Sequence, residues 1–190
     1  MAENKVMFGL QDVHFSVITK GTDGTYTYAT PKRITGAVSL ELSALGETTP
    51  FYADNGVYYA TSTNNGYEGT LTIANLTEEF RTEVLGEVLV NGGLLEKGDA
   101  KTKDIALLYQ IEGDEQASRM VLYDVAVARP SISTTTKGES TEVNTNELTF
   151  SAKPRTSDRA IKWATGSATP KSVYDSFYTA VVEPVEIPSV

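Results

Sequence analysis

One histidine and no cysteine limit what this 190-residue chain can do chemically. Thiol catalysis, disulfides and cysteine-built zinc or iron–sulfur centres need side chains that are absent, and one imidazole cannot make a multi-histidine metal site. A Ser-His-Asp triad would have to use His14. That residue stands between Val13 and Phe15 with no nucleophile motif beside it, so a polar surface or interface role is the simpler reading. Carboxylates remain, but Glu78 and Glu79 are helix neighbours about 100° apart around the axis, which does not make an acid–base pair. Glu112, Asp114 and Glu115 lack the ligand register of a helix-loop-helix calcium site and read as a solvated turn. Gly92-Gly93 follows Val88-Leu89-Val90 without a Lys-Ser/Thr after it, so it is a turn and not a phosphate loop. Phe51, Tyr52, Tyr58 and Tyr59 offer rings on which a sugar could stack. Strand alternation puts neighbours on opposite faces, however, and favours core packing or a protein interface. No catalytic, metal-binding or cofactor-binding residue is assigned. Two readings stay open beside a structural one: a monomeric carbohydrate-binding β-sandwich, and a glycosidase with two converging carboxyls.

The charge balance is 16 basic against 25 acidic residues, a formal −9. Proteins that grip nucleic acid place Lys and Arg against phosphates, so a chain this acidic is a poor candidate for holding DNA. One stretch departs from the rest: residues 151–171 carry Lys153, Arg155, Arg159, Lys162 and Lys171 against Asp158. Such a basic patch on one copy can face an acidic surface on the next. The opening Met1-Ala2-Glu3-Asn4-Lys5 is polar, and the apolar runs Ile105 to Tyr109 and Val125 to Ala128 are strand-length, so the expectation is a soluble protein made in a cytoplasm.

The elements that position these residues are mostly strands. Thr, Tyr and Val recur between Gly, Asn and Asp clusters, as a pleated, half-buried surface requires. Val13, Phe15 and Val17 alternate with polar partners, turn at Gly21 to Gly24 and return through Tyr26 and Tyr28 as a hairpin. Val38, Leu40 and Leu42 are expected on a dry face, with Ser39, Glu41 and Ser43 on a wet one. Phe51 to Ala53 and Val57 to Ala60 flank Asp54-Asn55-Gly56, whose Asn-Gly pair favours a tight reversal. A polar loop with Asn64 and Asn65 then leads into Gly69 to Ala74. Later strands are expected at Asp104 to Ile111, Met120 to Ala128, Glu147 to Ala152 and Ile161 to Ala164. A helix is expected from Glu78 to Leu85, capped by Thr77, ended by Gly86, and buried through Phe80 and Val84. A weaker helical turn is expected from Val173 to Phe177, with Ser172 and Asp175 in capping-box spacing. The division is a single domain over 1–180 and a proline-bearing arm over 181–190.

The order and spacing of several segments resemble the major tail (tube) proteins of long, non-contractile-tailed bacteriophages of Gram-positive hosts. They are Val6 to Phe15, Thr27 to Pro31 with Gly36 to Leu40, Phe51 to Asn55 with Tyr59, Asn65 to Leu71, the helix closing on Leu85-Gly86, Leu107 to Ile111, Arg119 to Tyr123, and Ser151 to Arg155. The resemblance implies a mainly β protein: a β-sandwich of tail-tube type with one short flanking helix, six copies forming a ring, and rings stacking into a virion tube for the genome. It further implies that four strands per copy join into one barrel. About 24 strands at about 4.8 Å spacing and about 40° tilt give a backbone diameter near 48 Å, wide enough for duplex DNA. Implied partners are further copies of itself and the tape measure, tail terminator and distal tail proteins, with DNA passing unbound and no membrane contact. Within that frame Glu41 is expected to face the lumen, where an acidic wall lets DNA slide. Asp54, Asn55, Gly56, Tyr58, Asn64 and Asn65 are expected in a loop that orders on ring stacking. Lys153, Arg155, Arg159 and Lys162 are expected at a basic interface.

Overall fold

The structure, a computed structural model, describes residues 4–132, 134 and 144–184. Alternating apolar residues and turn-forming glycines place most of these residues in strands. The chain opens with β1 (Met7–Lys20), which kinks twice where Gly9 and Asp12 adopt positive φ and its register against its neighbour shifts. It turns through Gly21 into β2 (Tyr26–Tyr28) and pairs again with β3 (Lys32–Arg33). Then come β4 (Ala37–Leu45), β5 (Thr48–Ala53), β6 (Gly56–Ser62) and β7 (Gly66–Ile73). Helix α1 (Glu78–Glu83) is followed by the small pair β8 (Val88–Val90) and β9 (Gly93–Leu95). Strands β10 (Ile105–Gly113), β11 (Ser118–Val127), β12 (Ser131–Ile132), β13 (Asn146–Ala152) and β14 (Lys162–Ala164) precede α2 (Lys171–Asp175).

Ten strands form one antiparallel sheet with the path β2-β1-β10-β11-β13-β7-β4, and β3, β12 and β14 attach beside it. The sheet bends over itself, so Val13, Phe15, Leu107 and Leu122 share one core with Leu71, Ile73, Leu148 and Phe150. Strands β1 and β4 touch across this bend without hydrogen-bonded pairing, so the sheet does not close into a barrel. Gly69 is required inside it: a Cβ there would lie 2.4 Å from the Phe150 ring.

Helix α1 follows its sequence signals. Thr77 Oγ1 accepts from the Phe80 amide at 3.3 Å, and Phe80 and Val84 are fully buried, each contributing about 1.5–3 kcal/mol of apolar transfer. Phe80 meets Phe15 edge-on with centroids 5.1 Å apart. Three local expectations need correction. Val38 does not share the dry face of Leu40 and Leu42: a bulge between Ala37 and Ser39 turns it outward, 58% exposed, and Ala37 faces the core instead. The reversal after β5 uses Asp54 and Asn55, at φ 51° and 66°, and not Asn55-Gly56, because Ala53 pairs directly with Gly56. Helix α2 begins at Lys171 behind Pro170 and has no side-chain cap, so Ser172 lies within it and Phe177 beyond it.

A second apolar cluster occupies the other side of β10 and β11. Ala106, Leu108, Val121 and Tyr123 are covered there by Phe177, Trp163, Tyr178, Val181 and Val182. The segment after α2 therefore forms part of the packed domain as far as it is described. The Tyr123 hydroxyl donates to the Val182 carbonyl at 2.8 Å, which anchors the first residues of the expected arm, and residues 185–190 of that arm lie outside the described residues.

Candidate assembly surfaces

Strands β4, β7, β13 and the second half of β11 lie side by side, and their pairing sets which side chains share a face. Glu41, Thr70 and Thr149 form one row across them, Ser43, Glu68 and Ser151 the next, and Thr72 and Glu147 a third. The other side of the same strands presents Leu40, Leu71 and Leu148 to the core. Nothing among the described residues covers the polar side, which is a shallow concavity lined by Glu41, Glu68, Thr70, Ala126 and Thr149. Its three carboxylates belong to Glu41, Glu68 and Glu147, and no Lys or Arg stands in the rows. Alternation in 66–73 and 146–152 already carries the signal for Glu68 and Glu147, which sequence reasoning passed over in favour of Glu41 alone. Among the described residues strand β4 pairs only with β7, so its far edge has no strand partner there.

Asp54, Asn55, Gly56 and Tyr58 lie in a β-hairpin, not a loop. Strands β5 and β6 pair from Thr48 to Ser62 at the turn's far end and stand apart from the main sheet. Tyr58 is 74% exposed, and Phe51, Tyr52, Val57 and Tyr59 are exposed with it, so core packing does not account for the aromatic group. Asn64 and Asn65 are at the root instead: the Asn65 amide donates to the Leu45 carbonyl at 2.7 Å, and Asn64 Oδ1 accepts from the Gly66 amide at 3.2 Å. Gly66, at φ 107°, sits where a Cβ would collide with the Ala152 carbonyl, so the root is fixed by backbone shape.

The basic residues separate on inspection. Arg155 is 3% exposed; it pairs with Asp158 and, at 2.8 Å, with Glu183, donates to the Tyr28 hydroxyl, and lies 4.5 Å from the Tyr123 ring centroid. It is an internal brace and not part of a basic surface patch. Burial pushes the Tyr28 phenol up to about 12, with the guanidinium pulling the other way. Lys153 remains accessible beside Asp104 and the buried Asp124 at 3.5 and 4.0 Å. Arg159 is exposed, and Lys162 lies over the Tyr67 ring at 4.7 Å while donating to its hydroxyl. Lys20 also reaches Asp104 and Asp124, at 2.5 and 3.0 Å; burial works against its charge, and these bonds outweigh it and hold the ammonium protonated.

The remaining candidates have structural roles. His14 stacks on Tyr178 with centroids 4.3 Å apart, and its Nδ1 lies 2.8 Å from the Asp12 carbonyl; burial lowers its pKa. Glu112, Asp114 and Glu115 occupy the β10–β11 turn, which the N-terminal residues tie down. The Lys5 amide donates to Asp114 Oδ1 at 2.9 Å, and the Glu115 amide donates to Asn4 Oδ1 at 3.1 Å. Among the described residues no group of three or more His, Asp or Glu could hold a metal ion, and no helix is long and apolar enough to cross a membrane.

A carboxylate-lined sheet face thus lies uncovered beside a strand edge with no partner among the described residues, while His14, Lys20 and Arg155 are engaged in packing and ion pairs. Comparison with known families places the protein more closely: the model described as phage tail tube protein matches residues 2–177, and the chain belongs to that family. It is a structural, non-enzymatic component of a bacteriophage virion tail. No curated protein matches the chain.

Proposed function

We propose that this protein builds the tail tube by closing six copies into a ring and stacking the rings into a conduit for the genome. The observation that carries the reading is the bare face of β4, β7, β13 and β11, which bears Glu41, Glu68 and Glu147 without a cation and ends at an unpaired strand edge. On the opposite margin, β10 stops pairing with β11 at Val125, and no described strand pairs with residues 126–132 on that side. The edge of β4 in one copy pairs with that margin in the next, so the four-stranded unit repeats around the ring and both hazards of a free edge disappear.

With this closure Glu41 faces the lumen. Six copies repeat its row, and the carboxylates repel phosphates, so DNA moves without the counterion release that would hold it on a basic wall. Lys153, Arg159 and Lys162 lie at the interface between neighbours, and the exposed end of β5 and β6, with Asp54, Asn55, Gly56 and Tyr58, makes the contact between rings. Assembly takes place in the host cytoplasm, with a tape measure protein setting length and terminator and distal proteins closing the ends. Negative-stain microscopy of the concentrated protein tests the reading. Hollow rods or six-fold rings are expected, and particles that stay monomeric at every concentration overturn it.

A further inference from the structure

Strands β4 and β7 run between two poles of the molecule. Gly66 and Ile73, at the two ends of β7, are separated by about 23 Å at the usual rise per residue. From the Leu45–Gly66 end rises the β5–β6 hairpin, apolar on both sides: Phe51 faces Tyr59 across it on one side, and Tyr52 faces Val57 on the other. From the Ala37–Ile73 end the chain leaves through α1 into the β8–β9 pair, which exposes Val88, Leu89, Val90 and Leu95. Ile132, 77% exposed, is at this same end, since it pairs with Asn146 and Asn146 with Ile73. Glu87 and Glu96, at the root of the pair, line a concavity together with Leu76 and Ile132. An isolated two-stranded hairpin is marginal in water, and apolar groups of this kind mark contact surfaces.

We propose that the β8–β9 pole of one copy is the receptor for the β5–β6 hairpin of a second copy. This rests on the stacking role proposed above and names the surface that receives the hairpin. The two ends are complementary in charge as well as apolar. Residues 46–65 contain Glu47 and Asp54 and no basic residue, whereas at the other pole Glu87 and Glu96 are paired with Arg81 and Arg129, and Lys97 and Lys101, which flank Asp99, have no ion-pair partner among the described residues. The loop bearing them is held at that pole: Arg129 donates to the Ala100 carbonyl at 3.1 Å, and Gly86 packs against the Lys101 carbonyl. Because the joined surfaces differ and lie at opposite ends, the contact is heterologous and repeats without closing, which gives the stack a direction.

The absence of cysteine makes this directly testable. Tyr58→Cys and Leu89→Cys proteins, mixed in equal amounts under mild oxidation at assembling concentration, are expected to form the mixed disulfide dimer about tenfold more than either forms alone, because bridging needs Cα atoms within about 7 Å. Predominant Tyr58→Cys self-dimers overturn the proposal, and so do rods by microscopy without the mixed product. In the second case the tube reading survives and only the receptor assignment fails. Monomers without cross-links overturn both. A second pair of variants avoids reliance on disulfide geometry. The double variant K97E/K101E is expected to keep its unfolding midpoint and lose rods, and adding D54K is expected to restore them; rods unaffected by the double variant overturn the pairing.

Discussion

Two surfaces of the same sheet are finished in opposite ways. Over β10 and β11 the chain lays its own C-terminal segment, so Phe177, Trp163 and Tyr178 fill the space above Leu108, Val121 and Tyr123, and Arg155 clamps the rim. Over β4, β7 and β13 the described residues lay nothing, and hydroxyls and carboxylates stand in rows instead. The first surface shows what this chain does when a face is to be permanently dry. By contrast, the second face is polar and solvent-facing, with an unpaired β4 margin among the described residues. Apolar burial is therefore concentrated on the covered side, and the bare one is the side to which the proposed assembly assigns function.

Substitutions can break that division or sharpen it. The largest effect is expected from Phe177→Ala, which empties a fully buried ring site and lowers unfolding stability by about 3–5 kcal/mol in urea titration. A loss below about 1 kcal/mol would show that the C-terminal cover is dispensable. Arg155→Met comes next: it leaves Asp158 and Glu183 without their cation, and because both carboxylates reach solvent the expected loss is about 1–3 kcal/mol, below that of a fully buried pair. Smaller still is a pH effect at His14. Burial depresses its folded pKa below 6.5, so the unfolded chain binds more protons between the two values. Stability is full above pH 6.5 and declines as pH falls through the folded value; thermal melts should show this decline in the native protein and not in His14→Gln. The smallest effect is expected on the bare side. Glu41→Lys with Glu68→Lys should change stability by less than about 0.5 kcal/mol, yet confer DNA binding at low salt on assembled tubes. A destabilisation comparable with that of Phe177→Ala would erase the distinction between the two surfaces.

Much of the main core could be read from residue order. Phe15 lies in an alternating run, Leu107 and Leu122 lie in continuous apolar runs of strand length that are buried on both faces, and Thr77 with Phe80 and Val84 announces the helix. What escaped reading depends on events with no period. A bulge at Val38 reverses one side chain without changing the pattern around it, and the reversal at Asp54 is shifted by one residue because both Asp54-Asn55 and Asn55-Gly56 suit a left-handed backbone. Arg155 looks like any surface cation until Glu183 and Tyr28 are brought to it from distant parts of the chain, beside the local partner Asp158. The bare face was half legible: Glu41 declared itself beside Leu40 and Leu42, while Glu68 and Glu147 became its companions only through strand register. The partnership of the β8–β9 pair with Ile132 had no local signal, since it arises from topology alone.

The outward kink at Val38 also acts as an alignment mark. A strand arriving at the β4 margin meets regular spacing from Ser39 to Leu45 and an interruption just before it, so the arriving strand has one comfortable stopping point. Sliding by a single position would swing every side chain of the arriving strand to the opposite face, while Leu40, Glu41 and Leu42 stay fixed by their pairing with β7. Any annulus made from such margins therefore has its circumference and its lining decided together, by where one residue steps out of line.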